Sequence, residues 1–388
     1  MTEDLNLLTK KTGQVTYGID ASSANKGRRT GVENYARHLI QAMKQQALDG
    51  GERVFLYAPS ILDDQLDAQP TGWETKILKW PFSKGWMSGR VSWEMLRRTP
   101  NLLFVPAQAP PKIATKNFVT TIHDIGFIRH PDLYDPKTRK RLKSVTKRAI
   151  KKSKRLLVPS EFTKQELMSA YRVPAEEIVV TPLSANTDIF RPMSEVEYRS
   201  TLQRHRLSTN FFLFVGRLEK KKNVTTLIRA FELFKEGRGL GDPFELVLVG
   251  DPGFGKEELN KFIGLSKQKE HIKLLGYRTE EEVAALMNAA FAYVFPSWYE
   301  GFGIPNLEAM ACNTPLITSN IPAHKEVCAD AAIFVSPKEP ESWAHAMSQI
   351  VRDGTMREQL VEKGKLRAQE FSWEKTAQQT WELLRSLV

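Results

Sequence analysis

The chain has 388 residues, of which 41% are hydrophobic and 26% are charged, ordinary values that argue against a fibrous or extensively disordered protein. Its length exceeds what one ordinary hydrophobic core supports and favours two domains. The formal net charge of +11 at pH 7 indicates attraction to a polyanionic partner, which composition alone leaves open as nucleic acid, anionic lipid or a phosphate-bearing substrate.

From the sequence we expect no segment that targets or anchors the protein. The first residues, MTEDLNLLTKKTGQ, hold no apolar stretch long enough for a signal peptide, and runs such as 211–215 are too short to cross a bilayer. Only Cys312 and Cys328 occur, which excludes a multi-bridge disulfide framework and a cysteine-based zinc cluster. We therefore predict a cytoplasmic protein.

Short apolar runs alternate with helix-like stretches along the chain, a pattern typical of parallel strands covered on both faces. The predicted strands of the first half are 15–20, 53–58, 102–106, 118–123, 155–159 and 178–182. After a polar helix the pattern restarts with 211–216, 244–250, 271–276, 292–296, 315–319 and 332–335. The alternation predicts two doubly wound, Rossmann-like α/β domains with a hinge near residues 185–208.

In such sheets ligands bind beyond the carboxyl ends of the strands, so the residues just after each run are the candidates. The first of these segments, DASSANKGRRTG, holds Gly27 and Gly31, and glycine allows a ligand to approach the backbone closely. The alternative is a basic surface loop. His123 is expected to end its strand and face the same edge, where an imidazole could hydrogen-bond or move a proton. A single histidine at a strand end is, however, more often structural.

The stretch 137–155, KTRKRLKSVTKRAIKKSKR, concentrates basic residues and contains no acid. Leu142, Val145, Ala149 and Ile150 recur in it at helical spacing, which predicts an amphipathic helix. Two interpretations stay open: peripheral binding to an anionic membrane, or a solvated helix that packs its apolar stripe against the protein. Nearby aromatic residues that weakly favour the membrane are Trp80, Phe82, Trp86 and Trp93.

The segment GRLEKKKN begins at Gly216, directly after a predicted strand, and ends where a helix is expected to begin near Asn223. Arg217 and Lys222 then share one loop. Cations fixed beside a departing diphosphate stabilise the charge that grows as the bond to the sugar breaks. This arrangement would catalyse departure of the leaving group without a metal ion, whereas the alternative is a solvated basic loop.

A second motif, EGFGIPNLEA, follows the predicted strand 292–296. Its glycines let backbone amides approach a ligand, and exposed amides at a helix start favour phosphate oxygens. Glu300 could hydrogen-bond sugar hydroxyls, while Glu308, expected in the first turn of the next helix, could bind ribose hydroxyls as acids do in dinucleotide folds. The alternative role of Glu308 is to stabilise the helix N-terminus.

The spacing of Glu300 and Glu308, with Arg217 and Lys222 upstream, is similar to that of glycosyltransferase family four, which is of the GT-B type. The resemblance covers nearly the whole chain. It implies two Rossmann-like domains facing across a cleft. The implied domains are an acceptor-side domain at 1–190, a donor-nucleotide domain at 191–371, and a C-terminal helix near 372–388 that packs back on the first domain.

The resemblance also implies the roles of individual residues and a reaction that retains the anomeric configuration. Arg217 and Lys222 would bind the donor diphosphate, Glu300 and His123 the donor sugar, and Glu308 the ribose. The implied catalytic residues are His123, Arg217, Lys222 and Glu300. The implied donor-binding residues are Gly31, Gly216, Arg217, Lys222, Gly250, Tyr277, Glu300, Gly301, Phe302, Gly303 and Glu308.

Within the family the chain resembles bacterial polysaccharide mannosyltransferases. This implies transfer of mannose from GDP-mannose to a saccharide or lipid-linked saccharide acceptor, at the inner face of the membrane if the basic helix binds lipid. A UDP-glucose-dependent glucosyltransferase and a non-catalytic two-domain sugar-binding protein stay open as alternatives. The chain has no Asp-x-Asp motif, so we expect no metal or other cofactor, and no aromatic platform for nucleic acid is evident.

Overall fold

The computed structural model of the protein describes residues 14–67, 69–82, 84–107, 109–239 and 241–388. The prediction that the chain carries no signal peptide concerns residues 1–13, which lie outside the described part. Among the helices of the described ranges, none combines the length and the apolar character needed to cross a membrane.

Thirteen strands alternate with helices along the described chain. The first seven strands are β1 Val15–Asp20, β2 Glu52–Ala58, β3 Trp73–Ile77, β4 Leu102–Val105, β5 Asn117–Thr121, β6 Arg155–Val158 and β7 Ile178–Val180. The other six are β8 Phe211–Val215, β9 Glu245–Val249, β10 Ile272–Gly276, β11 Ala292–Phe295, β12 Leu316–Ser319 and β13 Ile333–Val335.

Helices cover the strands of both halves of the chain. Those before β8 are α1 Gly31–Lys44, α2 Asp64–Asp67, α3 Ser92–Arg97, α4 Gly126–Arg129, α5 Pro136–Lys152, α6 Glu161–Tyr171 and α7 Glu195–His205. Those after it are α8 Val224–Glu236, α9 Lys256–Leu265, α10 Glu280–Ala289, α11 Ile304–Ala311, α12 Pro322–Cys328, α13 Pro340–Arg352, α14 Gly354–Ala368 and α15 Trp373–Arg385.

The strands form two sheets with the doubly wound topology that the alternation predicts. The order is β3-β2-β1-β4-β5-β6-β7 in the first sheet and β10-β9-β8-β11-β12-β13 in the second. In both sheets the strand order reverses beside the first strand, at β1 and at β8. Beyond the carboxyl ends of the strands at such a reversal, open α/β sheets leave a crevice for ligands. The predicted fold class, α/β with two Rossmann-like parallel sheets, is confirmed.

Every apolar run predicted as a strand coincides with a strand of the structure. The strand that the sequence did not reveal is β3, at the edge of the first sheet, whose residues WETKI hold three consecutive polar side chains between Trp73 and Ile77. An edge strand lacks a neighbour on one side and therefore needs no continuous apolar run. The basic stretch forms the predicted helix, α5.

By contacts the chain separates into two compact units. Unit 1 comprises Met1–Thr121 as far as it is described, Arg148–Leu156 and Ala377–Val388. Unit 2 comprises Ile122–Lys147 and Leu157–Thr376. The domain boundary at 190/191 and the hinge near 185–208 stay predictions.

In unit 1 the end of helix α15 packs beside strands β1, β2 and β3. The indole of Trp381 is buried and meets Tyr17 and Trp73 edge to face, at centroid distances of 5.3 and 6.1 Å. Its Nε1 donates a hydrogen bond of 3.2 Å to the carbonyl oxygen of Met43. Arg385 donates from Nη2 to the Glu52 carboxylate at 2.8 Å. The C-terminal residues are thus part of this hydrophobic core.

In unit 2 the core between β8 and its covering helix is built from phenylalanine. Phe212 stacks on Phe244 at 5.3 Å and meets Phe234 of α8 edge to face at 5.2 Å. Aromatic pairs of this geometry contribute more than their buried area alone. They fix α8 over β8 and thereby fix the loop between these two elements.

We expect Trp381→Ala to destabilise unit 1 by about 3 to 5 kcal/mol, because it removes a buried indole and leaves a cavity. Urea unfolding followed by circular dichroism measures this loss. Leu366→Ala is the control, since Leu366 is 63% exposed and its truncation should change stability by no more than about 0.5 kcal/mol. Equal unfolding midpoints for the two variants would show that α15 contributes nothing to the core.

Candidate functional site

The loop after β8 is held in place by one asparagine. Asn223 adopts a left-handed conformation, with φ of 57°, at the start of α8. Its side-chain amide donates to the carbonyl oxygens of Pro296 at 3.1 Å and Pro337 at 2.7 Å. These bonds tie the loop 216–223 to the end of β11, which pairs with β8 in the same sheet. Lys220–Lys222 forms a 3₁₀ turn just before Asn223.

This attachment places two lysines of the 3₁₀ turn beside the carboxylate of Glu300. Lys222 donates from Nζ to Glu300 Oε1 at 2.6 Å, and the Nζ of Lys221 lies 3.9 Å from Oε2. Lys221 also donates to Asp124 Oδ2 at 3.1 Å. The structure therefore brings together the predicted residues Lys222 and Glu300, and adds Lys221 and Asp124.

The charges of this cluster stabilise one another. Burial alone would raise the pKa of Glu300, but the charges of Lys222 and Lys221 outweigh it and lower the pKa to about 2. Burial likewise disfavours the cationic form of Lys221, and Asp124 and Glu300 reverse this and hold its pKa well above the usual value. Glu300 is thus a carboxylate at neutral pH.

The backbone next to Glu300 is crowded in a way that only glycine permits. A Cβ on Gly301 would lie 1.8 Å from the carbonyl oxygen of His123. The hydroxyls of Ser160 and Thr163 donate to the carbonyl oxygen of Gly301 at 2.5 and 3.0 Å. Gly301 is therefore held between the segment that follows β5 and the first turn of α6. The predicted residue His123 lies in this contact, although two residues beyond the end of β5 and not at the strand end that we expected.

Two buried polar atoms lie at Gly303, directly before α11. A Cβ there would be 3.2 Å from both Nδ2 of Asn306 and Nε2 of His324. Neither of these two atoms has a hydrogen-bond partner among the described residues. Burial lowers the pKa of His324 to about 4, and its Nδ1 lies 2.8 Å from the Thr318 hydroxyl. Unsatisfied buried polar atoms often mark a ligand site.

The predicted position of Glu308, in the first turn of its helix, is wrong. Helix α11 begins at Ile304, with Pro305 in its first turn, so Glu308 belongs to the second turn. Its side chain is half-buried and has no hydrogen-bond partner among the described residues. Loss of hydration and the charge of Glu280 raise the pKa of Glu308 to about 8. This carboxyl group is therefore available to bind hydroxyl groups.

Arg217 lies at a crowded glycine contact at the ends of β8 and β9. A Cβ on Gly250, whose φ is +137°, would lie 2.0 Å from the carbonyl oxygen of Gly216, so only glycine fits. The Arg217 side chain is 60% exposed, and its Nε lies 4.0 Å from Glu219. A guanidinium with this freedom can turn toward an anion, in contrast to Lys222, which is half-buried and ion-paired with Glu300.

The other predicted residues have different surroundings. Tyr277 follows the end of β10 and is half-buried. Phe302 is buried and meets Phe371 edge to face at 5.8 Å. Gly31 begins α1 in unit 1, whereas the residues above belong to unit 2. The proposed binding roles of these three residues stay predictions.

Two further expectations concern the cysteines and metals. Cys312 and Cys328 are both buried free thiols. No group of three or more His, Cys, Asp or Glu side chains in the described ranges is arranged to hold a metal ion. Whether the activity requires a metal ion stays a prediction.

The stripe of α5 is partly covered. Ala149 is buried, while Leu142, Val145 and Ile150 are half-buried. The packing interpretation therefore accounts for the apolar side chains, and membrane contact by the basic face stays a prediction.

Several site residues could not be identified from the sequence. The sequence does not distinguish Lys221 from its neighbours, because a run of three lysines gives no sign of which side chains pair with an acid. Ser160 had a local signal, since it precedes α6 and accepts a hydrogen bond from the Thr163 amide as an N-cap. Its bond to Gly301 spans 141 positions of sequence and has no local signal.

Comparison with protein families gives two matches that together cover most of the chain. Residues 29–189 match the model described as glycosyltransferase family 4, and residues 202–367 match that of glycosyl transferases group 1. O-antigen chain mannosyltransferase B of Escherichia coli is 33% identical over 264 residues, which are 68% of each chain.

Other relatives are more distant. O-antigen chain mannosyltransferase RfbU of Salmonella typhimurium is 31% identical over 61% of each chain. D-inositol 3-phosphate glycosyltransferase of Corynebacterium urealyticum is 28% identical over 78% of this chain and 70% of its own.

Solved structures share the fold at low identity. Anabaena HepE in complex with UDP-glucose is 17% identical, with a TM-score of 0.75 over 96% of this chain and 99% of its own. WaaG, a glycosyltransferase involved in lipopolysaccharide biosynthesis, is 15% identical, with a TM-score of 0.73 over 95% and 99%.

The raised pKa of Glu308 predicts a pH-dependent cost to stability. In the unfolded chain this carboxyl has its ordinary pKa of 4.5, so between that pH and about 8 folding takes up a proton. Proton uptake on folding makes stability fall as pH rises through this range. We expect the melting temperature of Glu308→Gln, relative to the unmodified protein, to increase from pH 5 to pH 8.

The control for this measurement is Glu281→Gln, which removes an exposed carboxylate near Glu280. Its melting temperature relative to the unmodified protein should be the same at both pH values. A flat difference for Glu308→Gln as well would contradict a raised pKa.

Proposed function

The chain belongs to glycosyltransferase family four, of the GT-B type, and from this premise we propose that it transfers mannose from GDP-mannose to a saccharide acceptor with retention of configuration. The observation that carries the proposal is the ion-paired cluster of Lys222, Lys221 and Glu300 beside the glycine turns of one sheet edge. It combines phosphate-binding cations with an ionised carboxylate that can hold a sugar.

In the proposed reaction the donor diphosphate binds Lys222 and Arg217. Lys222 is half-buried and already positioned by its ion pair, whereas Arg217 is exposed and can close on the ligand. Both cations stabilise the negative charge that grows on the diphosphate as its bond to the anomeric carbon breaks. These cations supply the charge stabilisation that a metal ion provides in other transferases, so we propose a metal-independent reaction.

Glu300 would hold the donor sugar in this reaction. Its carboxylate is ionised at neutral pH and can accept hydrogen bonds from sugar hydroxyls. The buried Nδ2 of Asn306 beside Gly303 would donate a hydrogen bond to the bound nucleotide sugar. Glu308, on the same helix, would bind the ribose.

The acceptor hydroxyl would attack the anomeric carbon from the face that the diphosphate leaves. A new carbon–oxygen bond forms, the bond to the phosphate oxygen breaks, and the departing phosphate oxygen takes the hydroxyl proton. This route needs no protein nucleophile. His123, whose backbone touches Gly301, would contact the donor sugar.

The choice of mannose rests on the relatives. Two O-antigen chain mannosyltransferases are each more than 30% identical to this chain, and their names point to bacterial polysaccharide assembly. We extend this to a saccharide or lipid-linked saccharide acceptor, and to peripheral binding of anionic membrane by α5. The second candidate donor is UDP-glucose, which Anabaena HepE binds in its solved structure.

A thermal shift screen over GDP-mannose, GDP, UDP-glucose and UDP tests the donor. A ligand that binds only the folded protein raises its melting temperature. We expect GDP-mannose to give the largest shift, with or without EDTA. A larger shift with UDP-glucose would identify UDP-glucose as the donor in place of GDP-mannose. Loss of the shift in EDTA would contradict a metal-independent reaction.

We expect Lys222→Ala to lower turnover by about two to three orders of magnitude, the usual cost of removing one group that stabilises charge in the transition state. The matched control is Lys220→Ala, which removes a cation of the same turn that is paired with Glu258 on the surface. Turnover of GDP-mannose measures both variants, and circular dichroism verifies folding. Unchanged turnover in Lys222→Ala would eliminate its proposed role.

A further inference from the structure

Unit 1 contains a cavity that the proposed function does not use. Its volume is about 290 Å³, near the lower end of the range for small-molecule sites. Strand β3, the π-helical turn Met87–Val91 and helix α3 with the residue after it supply its walls. A cavity of this size can take a phosphate ester group.

The walls of this cavity are strongly cationic. Lys76, Arg90, Arg97 and Arg98 line it, and Glu94 is the one carboxylate among the lining residues. Lys76 is ion-paired with Glu74, and Arg90 donates to Glu94 at 2.7 Å. Neither Arg97 nor Arg98 has a carboxylate partner among the described residues, so two guanidinium charges stay uncompensated.

An aromatic side chain orders the guanidinium groups. The centroid of the Trp93 ring lies 4.6 Å from Cζ of Arg97 and 4.9 Å from Cζ of Arg90. Cation–π contacts of this kind reduce the freedom of a guanidinium without neutralising its charge. Arg97 is therefore held at the cavity as a cation, and planar guanidinium groups bind phosphate oxygens in pairs of hydrogen bonds.

Exposed apolar side chains adjoin the cationic walls. Trp93 and Leu96, on α3, are 48% and 64% exposed. Phe82 is 66% exposed and meets Trp80 edge to face at 5.2 Å. Trp80 in turn packs on Gly89, the neighbour of Arg90, since a Cβ there would lie 2.5 Å from its ring. Apolar surface beside a phosphate-binding pocket is suited to a phosphate that carries a hydrocarbon chain.

We propose that this cavity binds the phosphate ester headgroup of a lipid, with the hydrocarbon chain on the exposed aromatic and aliphatic side chains beside it. This inference rests on the proposed function and deepens it, because such a lipid phosphate is what carries a lipid-linked saccharide acceptor. The cavity then recognises the acceptor carrier through Arg97 and Arg98.

Vesicle flotation with the full chain tests this site. Three kinds of phosphatidylcholine vesicle are compared. The first contains a prenyl phosphate, the second contains phosphatidylglycerol at the same surface charge, and the third contains neither. The variant Arg97→Ala/Arg98→Ala should lose about tenfold or more of the binding to prenyl phosphate vesicles, because it removes the two guanidinium groups that have no carboxylate partner among the described residues. The control Arg53→Ala/Arg352→Ala removes two exposed cations elsewhere and should bind like the unmodified protein.

The outcomes separate the possible sources of the phosphate. If glucose 1-phosphate competes with the vesicles, the phosphate ester alone is sufficient for binding. If glucose 1-phosphate does not compete, the hydrocarbon chain contributes to binding. Both results support the site, provided that binding depends on Arg97 and Arg98. Full binding by the double variant would overturn it, because binding would then not depend on Arg97 and Arg98. Equal binding to phosphatidylglycerol vesicles would support the site only if the double variant loses that binding too, and would overturn it if the double variant keeps it. The increase in melting temperature caused by GDP-mannose should be the same in the double variant and in the unmodified protein, because donor binding does not involve Arg97 or Arg98. If GDP-mannose causes no increase in the unmodified protein, this result counts against the proposed function and not against the lipid phosphate site.

Discussion

The carboxylate of Glu300 lies beside Lys221 and Lys222, and the Glu300 residue is only 7% exposed. A buried charge that loses its partner costs several kcal/mol, so Lys222 and Lys221 must stay close to it. They can do so because β8 and β11 are neighbours in one sheet and end at the same edge. The crowded backbone at Gly301 and the hydrogen bonds of Asn223 to Pro296 and Pro337 hold the two loops in this arrangement.

Lys222 serves two anions in the proposed reaction, Glu300 and the donor diphosphate. Lys221 allows this, since its Nζ lies near the second oxygen of Glu300 and is itself bound to Asp124. Glu300 therefore keeps a cationic neighbour when Lys222 contacts phosphate. Glu308 illustrates the opposite arrangement, a carboxyl group with a raised pKa that weakens the fold above its ordinary pKa. Such local costs are typical of binding sites, where geometry serves the ligand.

The excess positive charge of the chain is concentrated in groups that suit phosphate chemistry. The loop 216–223 has its cations beside an acid, α5 carries a basic face, and the cavity of unit 1 holds Arg97 and Arg98 beside exposed apolar side chains. A nucleotide sugar and a lipid phosphate both carry the charge that these groups can bind. The net charge of +11 is thus consistent with phosphate-bearing substrates, one of the partner classes that composition allowed.

The sequence by itself determined the alternation of strands and helices, and the motifs at the strand ends, because apolar runs and glycine turns are local signals. It also predicted that Lys222 and Glu300 belong to one site. It missed β3, whose edge position needs no continuous apolar run, and misplaced Glu308 by one helical turn. Only the tertiary structure decided that Lys221 lies beside Glu300, that Ser160 bonds Gly301 and that Arg97 and Arg98 line a cavity. Burial and contacts between distant residues depend on packing, which no local pattern encodes.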